Sequence, residues 1–198
     1  VPIGSWVLRE ACRQVCAWQD SGLLAVPVSV NISAVEFRHK NFLEGVALIL
    51  KETGMLPSFL ELELTESILM HDAKSSESVL GSLKEMGMQL AIDDFGTGYS
   101  SLSYLKRFPI NTLKIDQSFV QDIAVDHDDA SIVSAMIGMG KSLKQRVIAE
   151  GVETEAQLAF LRALQCDEGQ GFLFGHPLPA DEFAKLLLND QGFSSALK

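Results

Sequence analysis

Ala91-Ile92-Asp93-Asp94-Phe95-Gly96 carries an apolar, strand-like run into two adjacent carboxylates, and three other strand-like segments also finish in acidic residues. They are Leu62-Glu63-Leu64-Thr65-Glu66, Leu113-Lys114-Ile115-Asp116 and Ile148-Ala149-Glu150-Gly151-Val152-Glu153. A β/α protein gathers the C-terminal ends of its parallel strands around one mouth, so carboxylates repeated at that position converge on one site. Converging carboxylates require cations.

The segments around these strand ends complete a β/α alternation. Residues 1–22 read as an amphipathic helix, with Pro2 near its start, Trp6, Val7, Ala11, Val15 and Trp18 on its apolar side, and Gly22 as its stop. A β-branched strand follows at 26–32, then a helix at 42–53 that Gly54 ends. The next strand spans 59–65, the next helix 75–86 with Gly87 behind it, and another strand 88–93. A Gly- and Ser-rich loop at 95–100 leads to a short helix at 102–107, which Pro109 stops before the strand at 112–115. Asp128 or Asp129 caps a helix to about residue 143, a strand occupies 146–149, and Thr154 with Gln157 forms a capping box for a helix to 164. A last strand near 171–174 precedes a helix at about 181–188, and the chain from Asn189 is expected to fray.

About six strands alternating with helices predict a parallel α/β fold. A TIM-like (β/α) barrel typically needs about 250 residues. This chain of 198 residues is short of that by about two strands and opens on a helix. The alternation is compatible with an open sheet or with an incomplete barrel whose first two strands are absent. A single domain over 1–190 with a tail at 191–198 is expected.

Composition narrows the function. The net charge of −10 repels nucleic-acid backbones and anionic membranes, so neither DNA nor RNA is an expected partner and no membrane contact is expected. Three cysteines, Cys12, Cys16 and Cys166, do not make a secreted disulfide framework, which favours a cytoplasmic setting. They read as buried thiols. No signal peptide is recognisable, and no apolar run approaches the roughly 20 residues that span a bilayer.

The chemistry rests on the strand ends. Two adjacent carboxylates repel by about 1 kcal/mol in water and about 4 kcal/mol at an effective dielectric of 20, so Asp93 and Asp94 need an offset or a solvated turn. Glu63 shares a strand face with Glu61 and Thr65, which buries charge or pairs it with basic residues, while Glu66 belongs to the exit loop. Lys114 is the complementary charge, able to hold a phosphate, polarise a water or pair with a neighbouring acid. Glu150 and Glu153 extend the acidic rim, although Glu153 also suits the start of the following helix. Oxygen-rich sites favour Mg²⁺, Mn²⁺ or Ca²⁺ over softer metals. The histidines, His39, His71, His127 and His176, are assigned to separate surface loops, and residues 126–129 to a solvated cap.

Four motifs occur in one order: Asp93-Asp94-Phe95-Gly96-Thr97-Gly98-Tyr99-Ser100-Ser101-Leu102, Leu113-Lys114-Ile115-Asp116, Ala149-Glu150-Gly151-Val152-Glu153-Thr154 and Glu168-Gly169-Gln170-Gly171-Phe172. Together they closely resemble the EAL domain family, over residues 1 to about 188. The resemblance implies a TIM-like barrel and a bacterial phosphodiesterase that linearises cyclic di-GMP to pGpG with two Mg²⁺ or Mn²⁺ ions. Ca²⁺ is then expected to bind and inhibit. By the same resemblance Asn31, Glu63, Asp93 and Asp94 are metal ligands, Lys114 lies near the attacking water, and Glu150 activates water or holds metal. Gln170 is the site glutamine, Asp116 and Glu153 belong to the rim, and Glu66 anchors the loop after Asp94. A homodimer is implied, as is an upstream sensor or cyclase domain in a full-length protein that is compatible with a membrane anchor elsewhere.

One departure stands out. The Glu-Ala-Leu motif that names the family, whose Glu is a metal ligand on an early strand, does not occur in these residues. The expectation is a domain shortened at its N-terminus and weakly active or inactive, whereas the intact domain is a competent enzyme. The alternatives in other functional classes are a cyclic di-GMP receptor that does not cleave its ligand and a protein-interaction module.

Overall fold

The computed structural model describes residues 2–98 and 102–189. The chain opens on helix α1 (Pro2–Asp20), whose buried face is Leu8, Cys12 and Val15. Trp6 and Val7, expected on the apolar side, are exposed instead. The i, i+4, i+7 set of 8, 12 and 15 forms the seam, and Trp6 and Val7 fall outside it. Strand β1 (Val28–Asn31) leads through a short turn of helix, α2 (Ala34–Phe37), to α3 (Phe42–Thr53). Gly54 closes α3 in the left-handed conformation, at φ 74°, where a side chain is strained.

Strand β2 (Leu60–Thr65) runs directly into α4 (Glu66–His71), followed by α5 (Ala73–Glu85) and β3 (Gln89–Phe95). Glu66, assigned by sequence to an exit loop, is thus the first residue of a helix and is buried. Beyond β3 come α6 (Leu102–Leu105), β4 (Thr112–Ile115) and α7 (Gln117–Val120). Then follow α8 (His127–Leu143), β5 (Arg146–Ala149), α9 (Glu155–Ala163), β6 (Glu168–Gly169) and α10 (Ala180–Asn189).

Three sequence expectations shift. The cap of α8 is Asp126, whose carboxylate accepts from the N–H groups of Asp128 and Asp129, so those two acids sit in the first turn. The last strand is Glu168–Gly169, because the next residues turn back across Val152, and not 171–174. His71 ends α4 and His127 begins α8, so neither lies in a loop. The capping box of Thr154 and Gln157 forms as read. Fraying was expected from Asn189, which is the last residue of α10, and the tail at 191–198 falls outside the described residues, as do Tyr99 to Ser101 of the loop after β3.

Among the described residues the six strands are all parallel and lie in chain order, β1 to β6. That order, with a helical segment after each of β1 to β5, forms the half-barrel of a TIM-like (β/α) fold. Leu60, Leu62 and Leu64 of β2 are fully buried against the helical layer, while Glu61 and Glu63 point to the opposite, inner face. β2 and β5 have two strands between them, three strand spacings or about 14 Å in a flat sheet. Arg146 of β5 nonetheless reaches Glu61 of β2 at 2.9 Å, as expected of a sheet concave on this face. Thr112 also donates to Glu61, at 2.8 Å.

Candidate metal and active site

One layer above Arg146 and Glu61, towards the C-terminal ends of the strands, the inner face carries a second and more acidic cluster. Lys114, at the middle of β4, is almost wholly buried, and its Nζ lies 2.7 Å from Glu150, 2.9 Å from Glu63 and 3.1 Å from Asp93. Burial alone opposes the ammonium charge, but hydrogen bonds to Glu150 and Glu63 outweigh it and hold the Lys114 pKa above its ordinary value. The ion pair that the sequence allows for Lys114 is present, with three acids rather than one. One cation among three carboxylates leaves a negative surplus in a poorly solvated place, which further cations would offset.

Asp93 and Asp94 reach the same mouth because β3 is irregular there. Ile92 lies opposite Leu113 and Phe95 opposite Ile115, so three steps on β3 match two on β4. This is a β-bulge, and Asp94 adopts φ 51° within it. In a regular strand consecutive side chains face opposite ways. The extra residue lets Asp93, Asp94 and Glu150 bring carboxylate oxygens within 4.8 Å of one another. Burial, followed by repulsion from Asp93 and Asp116, raises the pKa of Asp94. Burial also raises that of Glu150, against the opposing pull of Lys114.

These residues fit a hard divalent cation. Asp93 Oδ1 is buried and accepts no hydrogen bond. Its 3.1 Å approach to Lys114 Nζ neutralises charge without the alignment of a hydrogen bond. A buried oxygen left in that state is costly, and a carboxylate oxygen is the donor that Mg²⁺ and Mn²⁺ prefer.

The remaining candidates surround this centre. A cavity of about 520 Å³ on the inner face is lined by Asn31, Glu63, Asp93, Lys114, Glu150 and Gln170, among others. Asn31 ends β1 in register with Glu63. A neighbouring cavity of about 320 Å³ is lined by Asp94, Asp116, Glu153, and again Glu150 and Gln170. Gln170 is held beside Glu150 by main-chain bonds to Ala149 and Val152. Asp116 doubles as the cap of α7, accepting from Ser118 N–H at 2.9 Å. Glu153 is exposed, and its N–H joins the α9 capping box through Gln157. Glu66 lines neither cavity. It accepts the N–H of Gly96 at 3.4 Å, and its carboxylate lies where a side chain at Gly98 would abut it.

Sequence reasoning assigned nothing to Gln117 or Phe172, which also line the smaller cavity, and it did not foresee Arg146 beneath the larger one. Phe172 ended a quoted motif, so position was the available signal. Gln117 and Arg146 carried none. The thiols behave largely as read, since burial pushes Cys12 and Cys166 up to about 11, although Cys16 is only half-buried.

The family model for the EAL domain matches residues 1–177. The chain is 50% identical over 182 residues, 92% of its length, to the bifunctional diguanylate cyclase/cyclic di-GMP phosphodiesterase MucR of Pseudomonas aeruginosa, of which it covers 27%. It is 44% identical to the signaling protein YkoW of Bacillus subtilis, with 95% of this chain and 23% of that protein covered. The chain thus spans about a quarter of the length of these curated relatives. Among solved structures it resembles the P. aeruginosa MucR phosphodiesterase in complex with c-di-GMP, with TM-score 0.90 and 50% identity over 92% of this chain and 74% of that one. It also resembles BlrP1 of Klebsiella pneumoniae in a calcium/cyclic di-GMP complex, with TM-score 0.74 and 31% identity over 86% of this chain and 43% of that one.

Proposed function

The chain belongs to the EAL domain family, and on that premise we propose that it forms the catalytic region of a phosphodiesterase that opens cyclic di-GMP to linear pGpG. The observation that carries this reading is the convergence of Asp93, Asp94 and Glu150 within 4.8 Å, with a buried, unbonded oxygen on Asp93. Asn31, Glu63, Asp93 and Asp94 would hold two Mg²⁺ or Mn²⁺ ions, which would supply charge neutralisation of the phosphodiester and a lowered pKa of water, the usual two-metal contribution to phosphoryl transfer. This also accounts for how a chain of net charge −10 accepts a dianion.

The protein's own groups divide the remaining work. Glu150, with its raised pKa and its position at both cavities, takes the proton of the attacking water. Lys114 orients the Glu150 carboxylate through their 2.7 Å contact. Gln170, Asp116 and Glu153 contact the substrate at the rim, and Glu66 holds the loop that follows Asp94. Ca²⁺ occupies the site without supporting turnover, in line with the calcium complex named for BlrP1.

Further domains accompany this one in its full-length protein, as the bifunctional name of MucR illustrates, and the domain acts as a homodimer in the cytoplasm. Among the described residues no helix is long and apolar enough to cross a membrane. Because the 198 residues hold no Glu-Ala-Leu, turnover by this chain alone is expected to be weak.

The test is calorimetry of cyclic di-GMP binding in Ca²⁺, followed by chromatography of products in Mg²⁺ or Mn²⁺. Binding with pGpG formed only in the latter ions supports the reading. Tight binding with no pGpG, even from a longer chain that includes a Glu-Ala-Leu strand, would make the domain a receptor.

A further inference from the structure

Arg146 forms no part of the acidic cluster, yet its guanidinium contacts three other strands. Its Nη2 donates to Glu61 Oε2 at 2.9 Å and to Thr112 Oγ1 at 3.0 Å, and its Nη1 donates to Glu168 Oε1 at 3.1 Å. Glu61, almost wholly buried, also accepts from Thr112 Oγ1 at 2.8 Å and from Ser29 Oγ at 3.0 Å. These bonds link β1, β2, β4, β5 and β6 across the inner face without using β3.

The network repeats the geometry of the metal site one pleat lower. Glu61 and Glu63 are two residues apart on β2, as are Thr112 and Lys114 on β4. The Glu61–Thr112 and Glu63–Lys114 contacts therefore cross β3 side by side, about 7 Å apart along the strands. Register places Ala91 of β3 beside Glu63 and Thr112, and its parity with Asp93 turns its methyl to the inner face. A residue this small leaves the crossing open.

Backbone ladders hold neighbouring strands about 4.8 Å apart, whereas the distance from β2 to β5 depends on how strongly the sheet curves. The candidate ligands lie on opposite flanks of that curve, with Asn31 and Glu63 on β1 and β2 and Glu150 after β5. We propose that Arg146 is a positioning residue for the metal centre: with Glu61 it clamps the inner face in the curvature that brings Glu63 and Glu150 to one mouth. This rests on the metal-site reading above. A guanidinium suits the task because its planar fork engages several oxygens at fixed angles, which an ammonium on a flexible stem does not.

The test is calorimetric titration of Mn²⁺ into the 198-residue chain, for the wild type, Arg146→Ala and Arg146→Lys, with melting curves to show that each is folded at the titration temperature. The clamp and plain electrostatics predict opposite signs. Removing a cation near an acidic site strengthens Mn²⁺ binding if charge alone matters, whereas losing the clamp weakens it by about 10- to 100-fold, the range for groups that orient ligands. Arg146→Lys keeps the charge but not the fork, so its affinity is expected to fall between the other two. Mn²⁺ affinity in Arg146→Ala equal to or above that of the wild type overturns the clamp alone, whatever the melting temperature does. If that variant does not fold, wild-type affinity in Arg146→Lys overturns it instead. No Mn²⁺ binding by the wild type overturns the metal-site reading and the clamp with it.

Discussion

Lys114 Nζ lies 2.7 Å from Glu150 Oε1, the shortest of its three carboxylate contacts. The strand register places Lys114 beside Ile148 and so near the C-terminal end of β5, where Glu150 follows. The two residues therefore meet because adjacent parallel strands are paired, not because they are near in sequence. This ammonium is what makes a buried triad of acids tolerable in the absence of metal.

Replacing Lys114 with Ala leaves Glu63, Asp93 and Glu150 facing one another without a cation. Removing one partner of a buried ion pair costs about 3–5 kcal/mol. For a chain of this size that lowers the melting temperature by roughly 6–20 °C. Thermal melts monitored by circular dichroism check this, and added Mg²⁺ is expected to recover part of the loss. An unchanged melting temperature would show that the cluster does not depend on Lys114.

Asp94→Asn has opposite effects on stability and function. It removes a charge that sits against Asp93 and Asp116, so the metal-free protein becomes more stable. Metal-dependent hydrolysis by an intact domain carrying the change falls by roughly 10²- to 10³-fold, the scale of losing one group that stabilises transition-state charge. Paired melting and product assays decide it, and a destabilised metal-free variant would contradict the repulsion argument.

The pH dependence of metal stabilisation follows from Asp94 and Glu150, whose folded pKa values are both raised above the ordinary 3.8 and 4.5. For an acid raised on folding, the neutral form is favoured in the native state. Its contribution is fully present below the ordinary pKa and is lost as pH rises through the raised one. Stabilisation by Mg²⁺ should therefore grow as pH climbs from about 4 towards neutrality, reaching about 2.7 kcal/mol at a concentration 100 times Kd. Melting curves with and without Mg²⁺ across that range test it, and a pH-independent Mg²⁺ effect would remove these two acids from the metal site.

Glu66→Ala strips the Gly96 N–H of its carboxylate acceptor and opens space beneath Gly98. The loop after Asp94 loses its tether, and metal affinity is expected to drop about 10- to 100-fold, the range for groups that orient ligands. Glu66→Gln keeps an acceptor oxygen and should fall between. Calorimetric Mn²⁺ titrations measure both, with equal affinity in all three proteins as the contrary result.

Thiol labelling should separate the cysteines. Burial pushes Cys12 and Cys166 up to about 11, which leaves little thiolate at pH 8 and little access to it. Cys16 is only half-buried. Iodoacetamide under native conditions should modify Cys16 first, and all three only in denaturant, as read by peptide mass spectrometry.

Much of the fold was legible because its signals are local. The helix at Phe42–Thr53 and the strands at Thr112–Ile115 and Arg146–Ala149 match their sequence reading, since periodicity, Gly54 and β-branched runs act over a few residues. The errors lie where tertiary contacts prevail. Gly171 to Phe174 has strand-like residues, but Gly169 already completes the pairing with β5, and the chain must then turn over Val152. Glu66 reads as a loop residue because nothing in sequence announces that a helix starts immediately after Thr65 and buries its first residue.

The sequence by itself determined that carboxylates recur at strand ends, and a parallel β/α chain must gather those ends at one mouth, so the existence of an acidic site followed from alternation alone. Tertiary structure decided which acids meet and in what state. Consecutive side chains on a strand diverge, so Asp93 and Asp94 share the mouth only because a bulge at φ 51° adds a residue to β3. Lys114 pairs with Glu63, two strands away, only because a curved sheet turns both inward. Such relations depend on register and curvature, which are properties of the whole sheet.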